Sequence, residues 1–228
     1  MLSSPPRREF GEAMDTEMNF RSWTVRAATM LLVMAVWHLP SLSKEGDGNL
    51  VSLRWAVGAL DAAGNKPTAI RQDTKLETGT KLKLLVEPQS KGSVYLLLLD
   101  SSGELQVLYR KSSSVTKAAD GKPTYIPPGS QWFELEKGAG METFFLLASV
   151  EPLKELEKLL DSHAPAPAVV EEVRRVNKAN RNFARPVERP VMIGGQTRGT
   201  QDTAGAIDQL AVEVEAEKFY GKTITIDH

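Results

Sequence analysis

The sequence predicts a mainly β protein, an antiparallel β-sandwich with a helical extension. Between residues 50 and 150, apolar residues recur at every second position, which is typical of strands with one buried face. Turns separate the short apolar segments, and no helical pattern lies between them, which favours antiparallel pairing over βαβ units. Apolar residues at helical spacing begin only after Pro152. The helices are therefore expected to follow the sandwich along the chain.

Composition limits the classes of function. The chain has 228 residues, 41% of them hydrophobic, with a formal net charge of −1 and no cysteine. This length suffices for one domain with extensions, and the hydrophobic content argues against a mainly disordered chain. Nucleic-acid binding is not expected, because the basic surplus it needs is missing. Without cysteine there is no disulfide, thiol nucleophile, Cys-based metal site or lipidated anchor, so the fold depends on its core.

Residues 1–43 are predicted to be an N-terminal leader. Two arginines precede the apolar run Ala27–Trp37, Pro40 ends it, and small residues surround Leu42. This order is typical of a secretory signal peptide, with cleavage after Ser43. The sequence therefore predicts a periplasmic or secreted protein.

The alternative is an uncleaved leader that anchors the protein to the inner membrane. The apolar run is shorter than the about 20 residues that a membrane-spanning helix needs, which favours cleavage. The segment before the run is long and contains acidic residues, and Met14 and Met18 are alternative starts to Met1. Contact with a membrane is expected only if the leader stays attached.

Residues 44–150 are predicted to form the sandwich. Two segments, Val94–Leu99 and Phe144–Ala148, are apolar at successive positions, so both faces of each strand should be covered, and Leu97 should be buried. Thr124 and Tyr125 precede two prolines that cannot donate to a ladder, which predicts an edge strand. The remaining strands, where apolar and polar residues alternate, are expected at Val51–Val57, Leu82–Val86, Leu105–Tyr109 and Phe133–Leu135.

Residues 151–206 are predicted to form a helical extension and a flexible loop. Leucines from Leu153 to Leu160 are spaced as in a helix, and Val169, Val173, Val176 and Phe183 mark one face of a second helix. The prolines in Ala164–Ala168 predict a stiff, extended linker between the two helices. Pro186–Ala206 shows no periodicity and is expected to be loop. Residues 207–228 then contain a C-terminal strand pair, expected to pack on the sandwich.

One stretch of the chain resembles a known family. The segments that carry the resemblance, all within Thr78–Pro152, are Thr78–Leu84, Gly92–Asp100, Gly103–Tyr109, Tyr125–Pro127 and Phe133–Ala148. Their turns and apolar positions are similar in order and spacing to the bacterial family called domain of unknown function 4384. Arg110-Lys111 stands where that family often has Pro-Asn. The resemblance implies an exported or envelope-associated accessory or binding role and names no substrate.

No catalytic, cofactor-binding or metal-binding residue is predicted. Gly194–Thr200 lacks the lysine of a phosphate-binding loop and is interpreted as a flexible loop. Asp100 and Glu104 flank a turn without the spacing of a calcium loop, so Asp100 is expected to cap a hairpin. His163 and His228 have no Ser or Asp partner at a motif spacing and are interpreted as solvated side chains.

The aromatic side chains offer a second candidate site, a binding groove. At strand spacing, large aromatic residues usually fill the core, which is the favoured interpretation here. The residues concerned are Trp55, Tyr95, Trp132, Phe133, Phe144 and Phe145.

The sequence therefore favours a non-enzymatic accessory module of the bacterial cell envelope. Its expected partner is an envelope protein or a cell-wall component, bound through a sheet edge or a loop surface, with Thr124 and Tyr125 as the expected edge. The alternative is a small hydrolase with an Asp/Glu/His site that no local motif reveals. A cleft of clustered carboxylates would favour the enzyme, and an open sheet edge would favour the binding module.

Overall fold

A computed structural model of the chain describes residues 49–60, 67–112, 122–135, 140–181, 186–190 and 203–228. The predictions for the leader (residues 1–43), for Phe183 and for Gly194–Thr200 lie outside these residues. Within them, no helix is long and apolar enough to cross a membrane.

The described strands form two sheets, which confirms the mainly β sandwich. The strands are β1 (Leu50–Leu60), β2 (Thr68–Ala69), β3 (Thr74–Lys75), β4 (Lys81–Pro88), β5 (Ser93–Leu99), β6 (Leu105–Lys111), β7 (Thr124–Ile126), β8 (Phe133–Glu134), β9 (Met141–Ser149), β10 (Val187–Pro190), β11 (Val212–Glu217) and β12 (Phe219–Asp227). The first sheet has the order β10-β11-β1-β4-β7, with β2 beside β1 and β8 beside β4, and the second has the order β3-β12-β9-β5-β6. All pairings are antiparallel except that of β3 with β12.

The main core lies between the two sheets. Successive side chains of a strand point to opposite faces, so alternate residues of β1, β5 and β9 meet there, among them Leu53, Leu96 and Phe144. The other face of β5 and β9 is also buried, with Leu97 at 0% exposure. This confirms that the two strands with continuous apolar runs are covered on both faces.

Two helices cover the outer face of the second sheet, α1 (Lys154–Asp161) and α2 (Ala166–Ala179). Leu156, Val169 and Val173 pack there against β5 and β9. The predicted extended linker Ala164–Ala168 is wrong, because α2 already begins at Ala166. Pro167 lies in the first turn of α2, where a missing N–H costs no intrahelical bond.

The C-terminal residues are integral to both sheets. The predicted strand pair is not a pair, because β11 pairs with β1 in the first sheet and β12 pairs with β9 in the second. Lys218, at φ 60°, turns the chain between them. The predicted loop Pro186–Ala206 is also partly wrong: it contains β10 and the start of a short helix, α3 (Thr203–Asp208).

Helix α3 covers the outer face of the first sheet. Ile207 is fully buried against Ala56 and Leu85. A Cβ added at Gly58 of β1 would lie 2.5 Å from Ile207 Cδ1. Glycine at this position therefore allows α3 to pack closely against the sheet. The sandwich therefore has a helical cover on each outer face.

Candidate functional site

Asp100 organises the hairpin turn between β5 and β6. Its Oδ1 accepts hydrogen bonds from the Ser102 N–H at 3.0 Å, the Ser102 hydroxyl at 2.7 Å and the Glu104 N–H at 2.8 Å. These bonds hold the pKa of the Asp100 carboxyl below its usual value of 3.8. Gly103, at φ 84°, completes the turn. Asp100 therefore caps the hairpin, as the sequence predicts.

The two histidines of the predicted mature chain differ in their surroundings. His163 is exposed at the end of α1. The His228 side chain is only 3% exposed, so the prediction of a solvated His228 is wrong. Its Nε2 lies 3.6 Å from Glu142 Oε1, which accepts a 3.3 Å hydrogen bond from the Ser101 N–H. Sequence reasoning missed this cluster because its members come from the hairpin turn, β9 and the end of β12.

This cluster lacks the geometry of an activated serine. Activation requires a hydrogen bond between the serine hydroxyl and a base, and neither ring nitrogen of His228 has a hydrogen-bond partner among the described residues. Gly140 lies close to the cluster, since a Cβ added there would lie 3.2 Å from His228 Nε2 and 2.6 Å from Ser101 Cβ. Within the described residues, no group of three His, Asp or Glu side chains could hold a metal ion.

The aromatic residues serve mainly as core. Trp55, Tyr95, Phe144 and Phe145 are buried, and Trp132 and Phe133 are half-buried. Lys83 Nζ lies 5.7 Å from the centre of the Trp132 ring and donates to the carbonyls of Gly129 and Gln131 at 2.6 and 2.8 Å. These side chains fix the loop after β7 and do not line an aromatic groove.

Strand β7, which contains the predicted binding edge, ends the path of the first sheet. It has only three residues, and Pro127 and Pro128 follow it. The Tyr125 hydroxyl donates to Asp208 at 2.7 Å, which ties the side chain to α3. Burial raises the pKa of this hydroxyl. Thr124 and Tyr125 therefore lie on an edge strand, but a partner could pair with only a short length of it.

Two other edges are also short or blocked. Strand β3 has two residues. Strand β10 has four and ends at Pro190, and its Glu188 carboxylate accepts a 3.0 Å hydrogen bond from the Tyr220 hydroxyl. Proline, charge and short length are the usual means by which proteins protect sheet edges from pairing.

Strand β6 is the long edge. It has seven residues, contains no proline, and leaves Val107 47% exposed. The Asp100 N–H donates to the Glu104 carbonyl at 3.0 Å, so these two residues form a pair joined by one backbone hydrogen bond, while the Glu104 N–H donates to the Asp100 side chain. Because such pairs alternate along an antiparallel ladder, Leu105 and Val107 direct their backbone N–H and C=O groups away from β5. Among the described residues, no other strand pairs with these groups.

An apolar groove of about 300 Å³ runs beside β6, between that strand and the turn that joins α1 to α2. Its walls are formed mainly by apolar residues, and the polar residues that line it are Glu104 and His163. The apolar wall residues are Leu105, Val107, Leu159, Leu160, Ala164, Ala166 and Val169.

Polar contacts fix α1 against the sheet and so hold this groove open. The Tyr95 hydroxyl donates to Glu157 at 2.7 Å and accepts from the Leu153 N–H at 3.2 Å. Burial, aided by the Glu157 carboxylate, raises the pKa of Tyr95 to about 12, so the hydroxyl remains a donor at neutral pH. Arg110 of β6 pairs with Asp161 of α1 at 2.5 Å. The groove is therefore a formed feature with both walls held in place.

Comparison with known proteins identifies no relative: no family model matches the chain, and neither does a curated protein or a solved structure. The resemblance of Thr78–Pro152 to the domain of unknown function 4384 family stays a prediction. The candidate site is defined by the geometry of this chain, as the β6 edge and the groove beside it.

Proposed function

We propose that this protein is an exported, non-enzymatic binding module of the bacterial cell envelope, which binds an extended segment of an envelope protein along β6. The observation that carries the proposal is the β6 edge: seven residues without proline, whose backbone groups at Leu105 and Val107 point away from β5 and meet no other strand among the described residues. Addition of a strand to such an edge is a common way of recognising extended peptides. The other described edges are short or end at proline.

A polypeptide fits this edge better than a glycan does. The outward N–H and C=O groups of Leu105 and Val107 lie at the two-residue spacing of a strand, which another extended backbone matches. Backbone pairing supplies affinity, and the adjacent groove supplies a place for a side chain. The envelope location is supported by the leader pattern in residues 1–43 and by the family resemblance.

The non-enzymatic role is supported by the site itself. The β6 groove is lined mostly by apolar residues, and its lining within the described part of the chain contains no paired nucleophile and base. The one buried histidine among the described residues, His228, makes no hydrogen bond that would activate Ser101.

The test is a pull-down from a membrane-peripheral extract with two variants at one position. Val107→Pro removes an N–H from the free edge and leaves the ladder to β5 intact, while Val107→Thr keeps the N–H and the branched shape. We expect the unmodified protein and Val107→Thr to retain the same partner and Val107→Pro to lose it. Circular dichroism and thermal unfolding check that all three are folded. A folded Val107→Pro protein that retains the partner would exclude the β6 edge as the site.

A further inference from the structure

We infer that a polar pocket beside the C-terminal half of α2 binds a phosphate monoester group. The pocket has a volume of about 390 Å³. It lies between α2 and β12, whereas the groove beside β6 meets α2 at its other end. The pocket is therefore a second site, separate from the proposed binding along β6. Its lining residues are Arg174, Asn177, Arg181, Gly221 and Thr223.

One wall of the pocket is a polar face that begins on α2. Arg174, Asn177 and Arg181 are spaced by three and four positions, and residues at this spacing lie on the same side of a helix. Arg181 follows the end of α2, but its N–H donates to the Lys178 carbonyl at 3.4 Å, so the chain still turns there as in a helix. Two arginines and an asparagine therefore line the same wall.

Strand β12 forms the floor of the pocket. Gly221 and Thr223 are two positions apart, so both face the outer side of the sheet, and both are exposed. Glycine inside a strand often marks the close approach of another group. A Cβ added at Gly221 would overlap Asn177 Oδ1, so the Asn177 amide lies directly over the strand. Among the described residues this amide has no hydrogen-bond partner, which leaves its nitrogen as a donor for a ligand.

The chemistry of the lining favours an oxyanion. Each polar side chain that lines the pocket can donate a hydrogen bond, and the lining contains no carboxylate within the described part of the chain. Arg174 also lies 3.7 Å from Glu171, but these side chains are 72% and 75% exposed. Such an exposed pair contributes little, so a ligand can compete for the Arg174 guanidinium.

A phosphate monoester matches these donors better than a carboxylate does. Guanidinium groups bind both kinds of oxyanion through two parallel hydrogen bonds, but a phosphate monoester offers three oxygens and about two negative charges, enough for Arg174 and Arg181 together. The C-terminal end of a helix favours cations, so the backbone of α2 adds nothing to the binding of a phosphate. The two arginines should therefore supply most of the affinity.

Phosphorus NMR of glucose 6-phosphate measures this binding when the full chain is titrated in mild detergent at constant ionic strength. We expect a Kd of about 1 mM or below, as a few charge-assisted hydrogen bonds provide. Inorganic phosphate should displace the probe, and acetate should not. Dihexanoyl phosphatidic acid, a short-chain lipid whose headgroup is a phosphate monoester, is the third competitor. Displacement more effective than that by inorganic phosphate would identify a lipid headgroup as the source of the phosphate, and any other result a soluble molecule.

Variants of the lining separate a built site from general attraction to a basic surface. Arg174→Gln and Arg181→Gln should each weaken binding about tenfold, as the loss of a charge-assisted hydrogen bond does. Arg174→Lys keeps the charge without the planar fork and should weaken binding about threefold. Gly221→Ala should also weaken binding, because its Cβ displaces the Asn177 amide. Arg189→Gln, an exposed arginine on β10 of the other sheet, is the matched control and should leave the Kd unchanged. Thermal unfolding checks that each variant is folded.

Several results would each overturn the phosphate site. They are the absence of binding up to about 10 mM probe, displacement by acetate as effective as that by inorganic phosphate, an unchanged Kd in both Arg174→Gln and Arg181→Gln, and a loss in Arg189→Gln as large as in Arg174→Gln. None of these results bears on the β6 edge, which the Val107→Pro variant tests.

Discussion

Truncation of Leu97 tests the packing between the second sheet and its helices. Leu97 is 0% exposed on β5 and packs in a cluster with Phe145, Leu156 and Val173. Leu97→Ala removes three carbon atoms, worth about 0.8 kcal/mol each in transfer free energy, or about 2.4 kcal/mol together. A residual cavity of about 50 Å³ adds about 1 kcal/mol at about 24 cal/mol per Å³. We therefore expect the free energy of unfolding to fall by about 3 to 4 kcal/mol.

Urea denaturation measures this loss, provided that the dependence of the unfolding free energy on urea is the same in both proteins. Val107→Ala on the neighbouring strand is the control, because the Val107 side chain is half exposed, and it should cost less than about 1 kcal/mol. A loss below about 1 kcal/mol for Leu97→Ala would refute the packing of β5 between the core and the helices.

Three further predictions concern other parts of the chain. Gly58→Val should destabilise the protein by about 1 to 3 kcal/mol in thermal unfolding by displacing Ile207, whereas Gly205→Ala, which meets no atom within 4 Å, should not. Because its pKa is lowered by folding, Asp100 stabilises the native state above pH 3.8 and loses this effect as pH falls through the folded pKa. Asp100→Asn should therefore be less stable than the unmodified protein at pH 6 and approach it in acid, and an equal difference at both pH values would contradict the capping role. N-terminal sequencing of the exported protein should begin at Lys44, and an intact leader in the membrane fraction would indicate an anchor.

The sequence predicts those strands in which the order of apolar and polar residues reflects which faces are buried. Alternation identifies β1, β4 and β6, and the continuous apolar runs identify β5 and β9, because burial on one or both faces is recorded in consecutive residues. The order of apolar and polar residues does not predict a strand that depends on contacts with residues distant in the sequence. Strand β10 is exposed at all four residues and exists because β11 provides a ladder beside it. In β12, the alternation of apolar and polar residues is interrupted by Lys222, whose ammonium lies 5.8 Å from the centre of the Trp55 ring.

For the candidate site, the sequence predicts the kind of surface, a sheet edge, but not which strand forms it. An edge strand follows from the β pattern, since an open sheet has edges, but the order of strands is a property of the whole fold. Residues Leu105–Lys111 alternate like any half-buried strand, and nothing in them indicates that β9 rather than another strand pairs on the far side of β5. The groove also requires α1 and α2, which follow β6 by more than forty residues. The sequence favours Thr124 and Tyr125 as the edge because two prolines, which cannot donate to a ladder, lie close by in the chain.

Site-specific photocrosslinking in the cells that naturally produce this protein tests most directly whether the β6 edge is the binding surface. Val107 and Val187 are 47% and 46% exposed and lie on edge strands of different sheets, so they form a matched pair. Benzoylphenylalanine is introduced at each position in turn. We expect position 107 to give a crosslink to one envelope protein and position 187 to give none. The absence of a crosslink at position 107, or capture of the same protein at both positions, would contradict binding along the β6 edge.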